Sequence, residues 1–162
     1  MAQNQVTGTA KRPFGFRDLL GYFMGDFGCN MSFTLISSYM FIFYTQYIGI
    51  SLAHYSIIIL ITKIFDGIND PIIGAIVDRM GADKKGEKFK QWILRGSPFL
   101  ALAATVIFID AADWSYAAKL GLCIGGYILW DLTYTFVNVP YGAFSSVMTS
   151  KPSQRAALSN AR

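Results

Sequence analysis

Apolar positions run through this chain in long blocks broken by short polar segments. No charged residue stands between Asp26 and Lys63, and none between Arg95 and Asp110. Charge-free apolar runs of this length are what a bilayer selects for, since a helix needs about 20 apolar residues to cross it. A buried soluble core is the alternative, but the runs are too long and too many for one small domain. The pattern predicts four spans, at about residues 19–47, 55–78, 92–110 and 117–140. Residues 1–15 read as a polar tail ending in Lys11, Arg12 and Pro13. Gly49 and Ser51 mark a short loop, Arg79 to Gln91 a Lys-rich hydrophilic one, and Asp113 to Tyr116 a tight turn. Residues 150–162 are polar, broken at Pro152, and read as a cytoplasmic loop leading to a fifth helix that is missing.

Composition agrees with this pattern. The 162 residues are 53% hydrophobic and 15% charged, against the roughly 25% charged of an ordinary soluble domain. The net charge of +4 raises the question of nucleic acid, but no stripe of Lys and Arg interleaved with aromatics exists to form a groove. The basic residues instead follow the positive-inside rule. Lys11, Arg12 and Arg17 precede the first span; Arg79, Lys84, Lys85, Lys88, Lys90 and Arg95 lie around the second-to-third loop; Lys151, Arg155 and Arg162 lie in the tail. With alternating spans all of these fall on one side, and only Lys119 falls on the other. The bias predicts a multi-pass protein of the plasma membrane with its N-terminus in the cytoplasm. The first apolar run is too long for a signal peptide's core, contains Asp26 and has no cleavage site, so it reads as a retained helix. Cys29 and Cys123 fall inside apolar spans and read as small hydrophobes, and His54 falls in a short loop. No His/Cys metal cluster, catalytic nucleophile–base pair or cofactor is expected, which argues against a membrane enzyme.

The remaining basic residue, Lys63, lies inside the second span, ITKIFDGINDPIIGAIVDR. Lys63, Asp66 and Asp70 are spaced i, i+3, i+7, and Asn69 lies three residues after Asp66, so these groups share one helix face. Asp66 sits near the bilayer midplane, where an ionised carboxylate costs several kcal/mol unless paired, hydrated or protonated. Two acids a turn apart repel, and can hold a small cation or share protons. Asn69 adds a neutral oxygen, and Lys63 can neutralise an acid when the cation is absent. A static Lys63 salt bridge is the plainer reading, but three charges and an amide exceed what a static bridge requires. Pro71 removes a backbone bond beside Asp70, either exposing carbonyls to a cation or merely kinking the helix. In the first span Asp26, flanked by Gly25 and Gly28, is either a sugar-hydroxyl acceptor or an acid reaching for the interface. In the fourth, YILWDLTYTFVNVPYG, Asp131, Thr135 and Asn138 share a face, with Tyr134 and Tyr141 on a neighbouring one. Hydroxyl, amide and aromatic groups together suit a sugar, with helix packing as the alternative for the tyrosines.

These segments, KIFDGINDPIIGAIVDR, GEKFKQWIL and YILWDLTYTFVNVPYG, resemble the glycoside–pentoside–hexuronide:cation symporters, the melibiose-permease-like group of the major facilitator superfamily. The resemblance runs from Phe14 onward. It implies an all-α membrane protein, here four transmembrane helices of an N-terminal six-helix bundle. It also implies sodium- or proton-coupled sugar or glycoside symport by alternating access. By the same resemblance Asp66, Asn69, Asp70 and Thr135 match cation-binding positions, with Asp66 and Asp70 holding sodium if sodium is the ion. Asp26, Tyr134, Asn138 and Arg162 match positions that contact sugar. Lys63 and Asp131 are read from their own place beside these acids as charge-balancing residues. Two departures stand out: Asn138 occupies the place of a sugar-binding acid, and Asp131 replaces a glycine one turn from Thr135. The second brings a third carboxylate near the cation site and favours a proton over sodium. Four spans are a third of a twelve-helix transporter, so the chain is expected to be a fragment that needs the remaining helices. A four-helix membrane subunit without transport activity of its own is the alternative.

Overall fold

A computed structural model describes residues 14–79 and 87–161, with the side chains of 87 and 88 left out. All regular structure among these residues is helical: α1 Phe16–Ile42, α2 Leu52–Arg79, α3 Glu87–Ile107, α4 Tyr116–Met148 and α5 Pro152–Ala161. A wider π-helical turn, Phe43–Tyr47, continues α1. The N-terminus of α1 is closed by Asp18, whose carboxylate accepts the Gly15 N–H at 2.9 Å.

α4 is the hub, packed along α3 on one side and α2 on the other. Gly96 permits the α3 approach, since a Cβ there would meet a Val137 methyl at 2.8 Å. The main core joins Ile36 and Met40 of α1 and Tyr44 of the π-helical turn to Ile58 of α2, Ile107 of α3, and Cys123, Trp130 and Val137 of α4. Cys29 and Cys123 are both buried in the core and form no disulfide among the described residues. Away from this core, α2 presents Leu60, Ile64, Ile68, Ile72 and Ile76 outward at four-residue spacing. That is an exposed apolar stripe far longer than water tolerates on one helix. By length and composition one helix among the described residues, Tyr116–Met148, is apolar enough to cross a membrane.

Several boundaries differ from the sequence expectation. α3 starts at Glu87, inside the stretch read as loop, and ends at Ile107, short of Asp110. His54, read as a loop residue, lies in the first turn of α2, where its N–H meets the Ser51 hydroxyl at 3.3 Å. α4 runs eight residues past Pro140. Proline has no N–H for the carbonyl four residues back, and that carbonyl, Phe136 O, accepts the Trp92 indole N–H at 2.8 Å instead. The segment read as a loop after residue 150 is the helix α5. Pro152 suits its first turn. Arg155 reaches back to the carbonyls of Thr149 (2.9 Å) and Ser146 (3.0 Å), capping the end of α4. Leu158 is fully buried beside Tyr22 and Tyr141. Lys84 and Lys85 of the basic loop, and Arg162, lie outside the described residues.

Candidate functional site

The acids of α2 meet α4 at a cavity of about 160 Å³. Its polar wall is Lys63, Asp66 and Asp70 from α2 and Asp131, Thr135 and Asn138 from α4. Its aromatic wall is Tyr127, Trp130 and Tyr134 from α4 with Phe33 from α1. The Thr135 hydroxyl donates to Asp70 Oδ1 at 3.1 Å. One turn earlier Asp66 and Asp131 line the same cavity, near enough for each carboxyl to act on the other. One turn earlier again Tyr127 lies near Thr62, whose hydroxyl donates to the Ile58 and Ile59 carbonyls. Lys63 Nζ contacts the second oxygen of Asp66 at 2.6 Å.

Burial separates these groups. Asp131 and Thr135 are 7% exposed, whereas Lys63 and Asp70 are open. Two acid oxygens, Asp66 Oδ1 and Asp131 Oδ2, are buried without a hydrogen-bond partner among the described residues. An unpartnered buried acceptor carries the desolvation cost of its group, so the site is poised for a positive occupant. Among the described residues no three His, Cys, Asp or Glu side chains converge on one point as metal ligands.

The structure therefore brings together Lys63, Asp66, Asp70, Asp131, Tyr134, Thr135 and Asn138. Asn69 is not among the lining side chains; it is buried, and its Nδ2 has no partner among the described residues. Three residues on from Asp66 turns it about 60° off that residue's direction, whereas Asp70, four on, stays within about 40°. Asp26 is also apart. It is buried on α1 and accepts the Asn30 amide at 2.6 Å. It lies seven residues from Phe33, about 10 Å along the helix from the cavity level. Tyr141, paired with Tyr134 as a sugar-facing aromatic, is a packing residue. It stacks on Tyr22 at 4.6 Å, donates its hydroxyl to the Tyr22 carbonyl and presses against Gly25.

Of the aromatic wall, sequence reasoning named Tyr134 and missed Tyr127, Trp130 and Phe33. Tyr127, Trp130 and Tyr134 recur at three- and four-residue spacing and stack in turn, with ring centroids 5.7 and 5.4 Å apart. Trp130 is held by its indole N–H to Ser32 at 3.1 Å, and Phe33 leans on Tyr134 at 5.8 Å. That spacing was visible in YILWDLTY. A larger open groove along Leu35, Tyr39, Phe43 and Phe108 is almost wholly apolar and carries no acid or base.

Residues 21–162 match the family described as MFS/sugar transport protein. An uncharacterised symporter, YnaJ, of Bacillus subtilis (strain 168) is 36% identical over 144 residues, covering 88% of this chain and 30% of that protein. A second uncharacterised symporter of the same organism, YjmB, is 32% identical over 163 residues, covering 100% of this chain and 35% of that protein. A glucuronide carrier protein homolog of Escherichia coli (strain K12) is 30% identical over 151 residues, covering 93% and 33%. The chain thus spans about a third of the length of the curated relatives it matches, and those relatives are named as carriers, not enzymes.

Proposed function

This chain belongs to the MFS/sugar transport protein family, which makes it an integral membrane protein of the sugar-symporter kind, and from that premise we propose that it forms the first four membrane helices of a cation-coupled sugar or glycoside symporter working by alternating access. The observation that carries the reading is the Thr135–Asp70 hydrogen bond beside the Lys63–Asp66 ion pair, in one cavity between α2 and α4. A cavity of about 160 Å³ falls below the roughly 300–1,000 Å³ of small-molecule pockets. It suits an ion, with one aromatic edge left for a sugar.

In this reading Asp66, Asp70 and Thr135 hold the coupling ion, with Asn69 supporting from beside the cavity. Tyr134 and Asn138 contact the sugar, the ring offering its face and the amide its hydrogen bonds. Asp26 and Arg162 are assigned to sugar by the family pattern. The Lys63 ammonium moves between Asp66 and solvent as the ion comes and goes. Further helices complete the sugar pocket. The exposed apolar stripe of α2 and the length of α3, about 31 Å for its 21 residues, support four spans. The basic bias of the loops supports a cytoplasmic N-terminus at the plasma membrane.

The test is uptake of labelled glycosides by cells making the transporter that carries this chain, with and without a sodium or proton gradient. Asp66→Asn and Asp70→Asn should each abolish gradient-driven accumulation. Intact accumulation in both variants would sink the cation-site assignment.

A further inference from the structure

We propose that a second cavity, of about 370 Å³ between the starts of α1 and α3 and the end of α4, binds the headgroup of an anionic phospholipid. The proposal goes beyond symport and rests on the cytoplasmic placement of that end argued above. Two cations from separate helices line the cavity: Arg17 in the first turn of α1 and Lys90 in the first turn of α3. Both are exposed, and no ion pair among the described residues holds either of them. α1 and α3 both begin at this level, so the positive ends of their dipoles add to the two charges. Among the described residues Asp18 is the one acid on the wall, and its carboxylate is engaged by the Gly15 N–H at 2.9 Å.

Deeper along the helices the wall changes to carbon. Gly21 and Gly25, one turn apart on α1, bring no side chain into the space, and a Cβ on Gly21 would meet nothing within 4 Å. Ile93 and Leu94, one turn beyond Lys90, join Phe144 and Met148 of α4 as an apolar floor. Leu94 is 61% exposed, so this floor continues onto the outer face of the bundle. The remaining polar atoms are already spent, since the Tyr141 hydroxyl donates to the Tyr22 carbonyl. Cations above and carbon below match a phosphate diester joined to acyl chains, whereas a soluble anion would leave the apolar floor unused. The volume lies within the roughly 300–1,000 Å³ of ligand pockets. A basic pocket between helices at the cytoplasmic face is also where anionic headgroups bind.

The test is native mass spectrometry of the purified transporter that carries this chain, with phosphatidylglycerol, phosphatidylcholine or glycerol 3-phosphate added in turn. Phosphatidylglycerol should be retained at least about tenfold more strongly than phosphatidylcholine, and glycerol 3-phosphate should not be retained. Arg17→Gln combined with Lys90→Gln should weaken retention of phosphatidylglycerol at least about tenfold, because each basic group near a membrane surface contributes about fivefold. Gly21→Leu, which keeps both charges and fills the space, should weaken it as well. Lys151→Gln removes a cation from the same end but outside the cavity and should leave it unchanged. Equal retention of the two lipids would mean that another segment of the transporter covers the cavity, and would overturn the proposal. So would full retention in the double variant or in Gly21→Leu, a loss in Lys151→Gln as large as in the double variant, or glycerol 3-phosphate binding as tightly as the lipid. Uptake is read separately: failure of lipid retention leaves the Asp66 and Asp70 experiment standing, and failure of that experiment leaves lipid retention standing.

Discussion

Replacing Trp92 with Phe tests how α4 survives its internal proline. Pro140 leaves the Phe136 carbonyl without its helical donor, and the Trp92 indole supplies one at 2.8 Å. The two rings also stack at 4.3 Å. Phe at position 92 keeps most of the stacking area but cannot donate. The carbonyl is then left unpaired in apolar surroundings, which costs about 1–3 kcal/mol. Interhelical hydrogen bonds in membranes fall toward the lower part of that range, about 0.6–1.7 kcal/mol. About 1–2 kcal/mol is therefore expected for the missing bond, with a further fraction for the smaller ring. The bond term is isolated by a second substitution. Pro140→Ala restores a backbone N–H that can bond Phe136 within the helix, so Trp92→Phe made in that background should lose only the packing fraction. A double-mutant cycle measured by reversible unfolding in mixed detergent micelles should return a coupling of about 1 kcal/mol or more. Equal costs of Trp92→Phe with and without the Pro140→Ala substitution would refute the account of why α4 continues past its proline.

Three further outcomes follow from other contacts. Thr135→Val keeps the shape of the side chain but removes the donor to Asp70; a bond to a charged group is worth about 1.5–3 kcal/mol. The concentration of coupling ion for half-maximal uptake should rise at least about tenfold, and an unchanged value would remove Thr135 from the site. Gly25→Ala places a Cβ 2.8 Å from the Tyr141 ring, which is held from behind by Tyr22. The overpacking should cost about 1–3 kcal/mol in unfolding measurements, and a neutral result would mean that the stacked pair yields freely. Leu158→Ala empties the contact that docks α5. It should speed proteolytic cleavage after α4 several-fold, whereas an unchanged cleavage rate would show that Arg155 alone holds α5 in place.

What could be read in advance divides along physical lines. The long helices were legible because charge-free runs are a property of the chain alone. Their ends were not, because each depends on a distant partner. α4 continues past Pro140 through Trp92, 44 residues before Phe136. α5 forms where Arg155 and Leu158 find the end of α4 and the Tyr22–Tyr141 pair. The polar wall of the cavity followed from spacing, since Asp66 and Asp70 on α2 and Asp131 and Thr135 on α4 are each one turn apart. Asn69 shows the limit of that reasoning: a three-residue step and a four-residue step both count as one face on paper, but they point about 60° and 40° to opposite sides. Asp26, read as a sugar contact from its place beside Gly25 and Gly28 and from the family pattern, lies about 10 Å along α1 from the level of this cavity. The stack of Tyr127 and Trp130 onto Tyr134 has helical spacing in the sequence, but such spacing is equally that of aromatic packing between helices, so it does not by itself mark a cavity wall.

The contacts between α2 and α4 obey one rule that neither helix shows alone. Thr62 meets Tyr127, Asp66 meets Asp131 and Asp70 meets Thr135. Each pair is separated by 65 residues, and successive pairs are one turn apart on both helices. A constant offset along two ascending sequences means that the helices run parallel and in register, with α3 as the returning segment between them. It also means that the three rungs move as a unit, because sliding α4 by one residue would turn every partner by about 100°. The chemistry is graded along this ladder: hydroxyl to phenol, then acid to acid, then acid to hydroxyl. Of the three, the middle rung alone joins two groups that repel when both are charged. A conformational change that must respond to an ion is most directly driven from such a rung, while the rungs on either side preserve the register through which it acts.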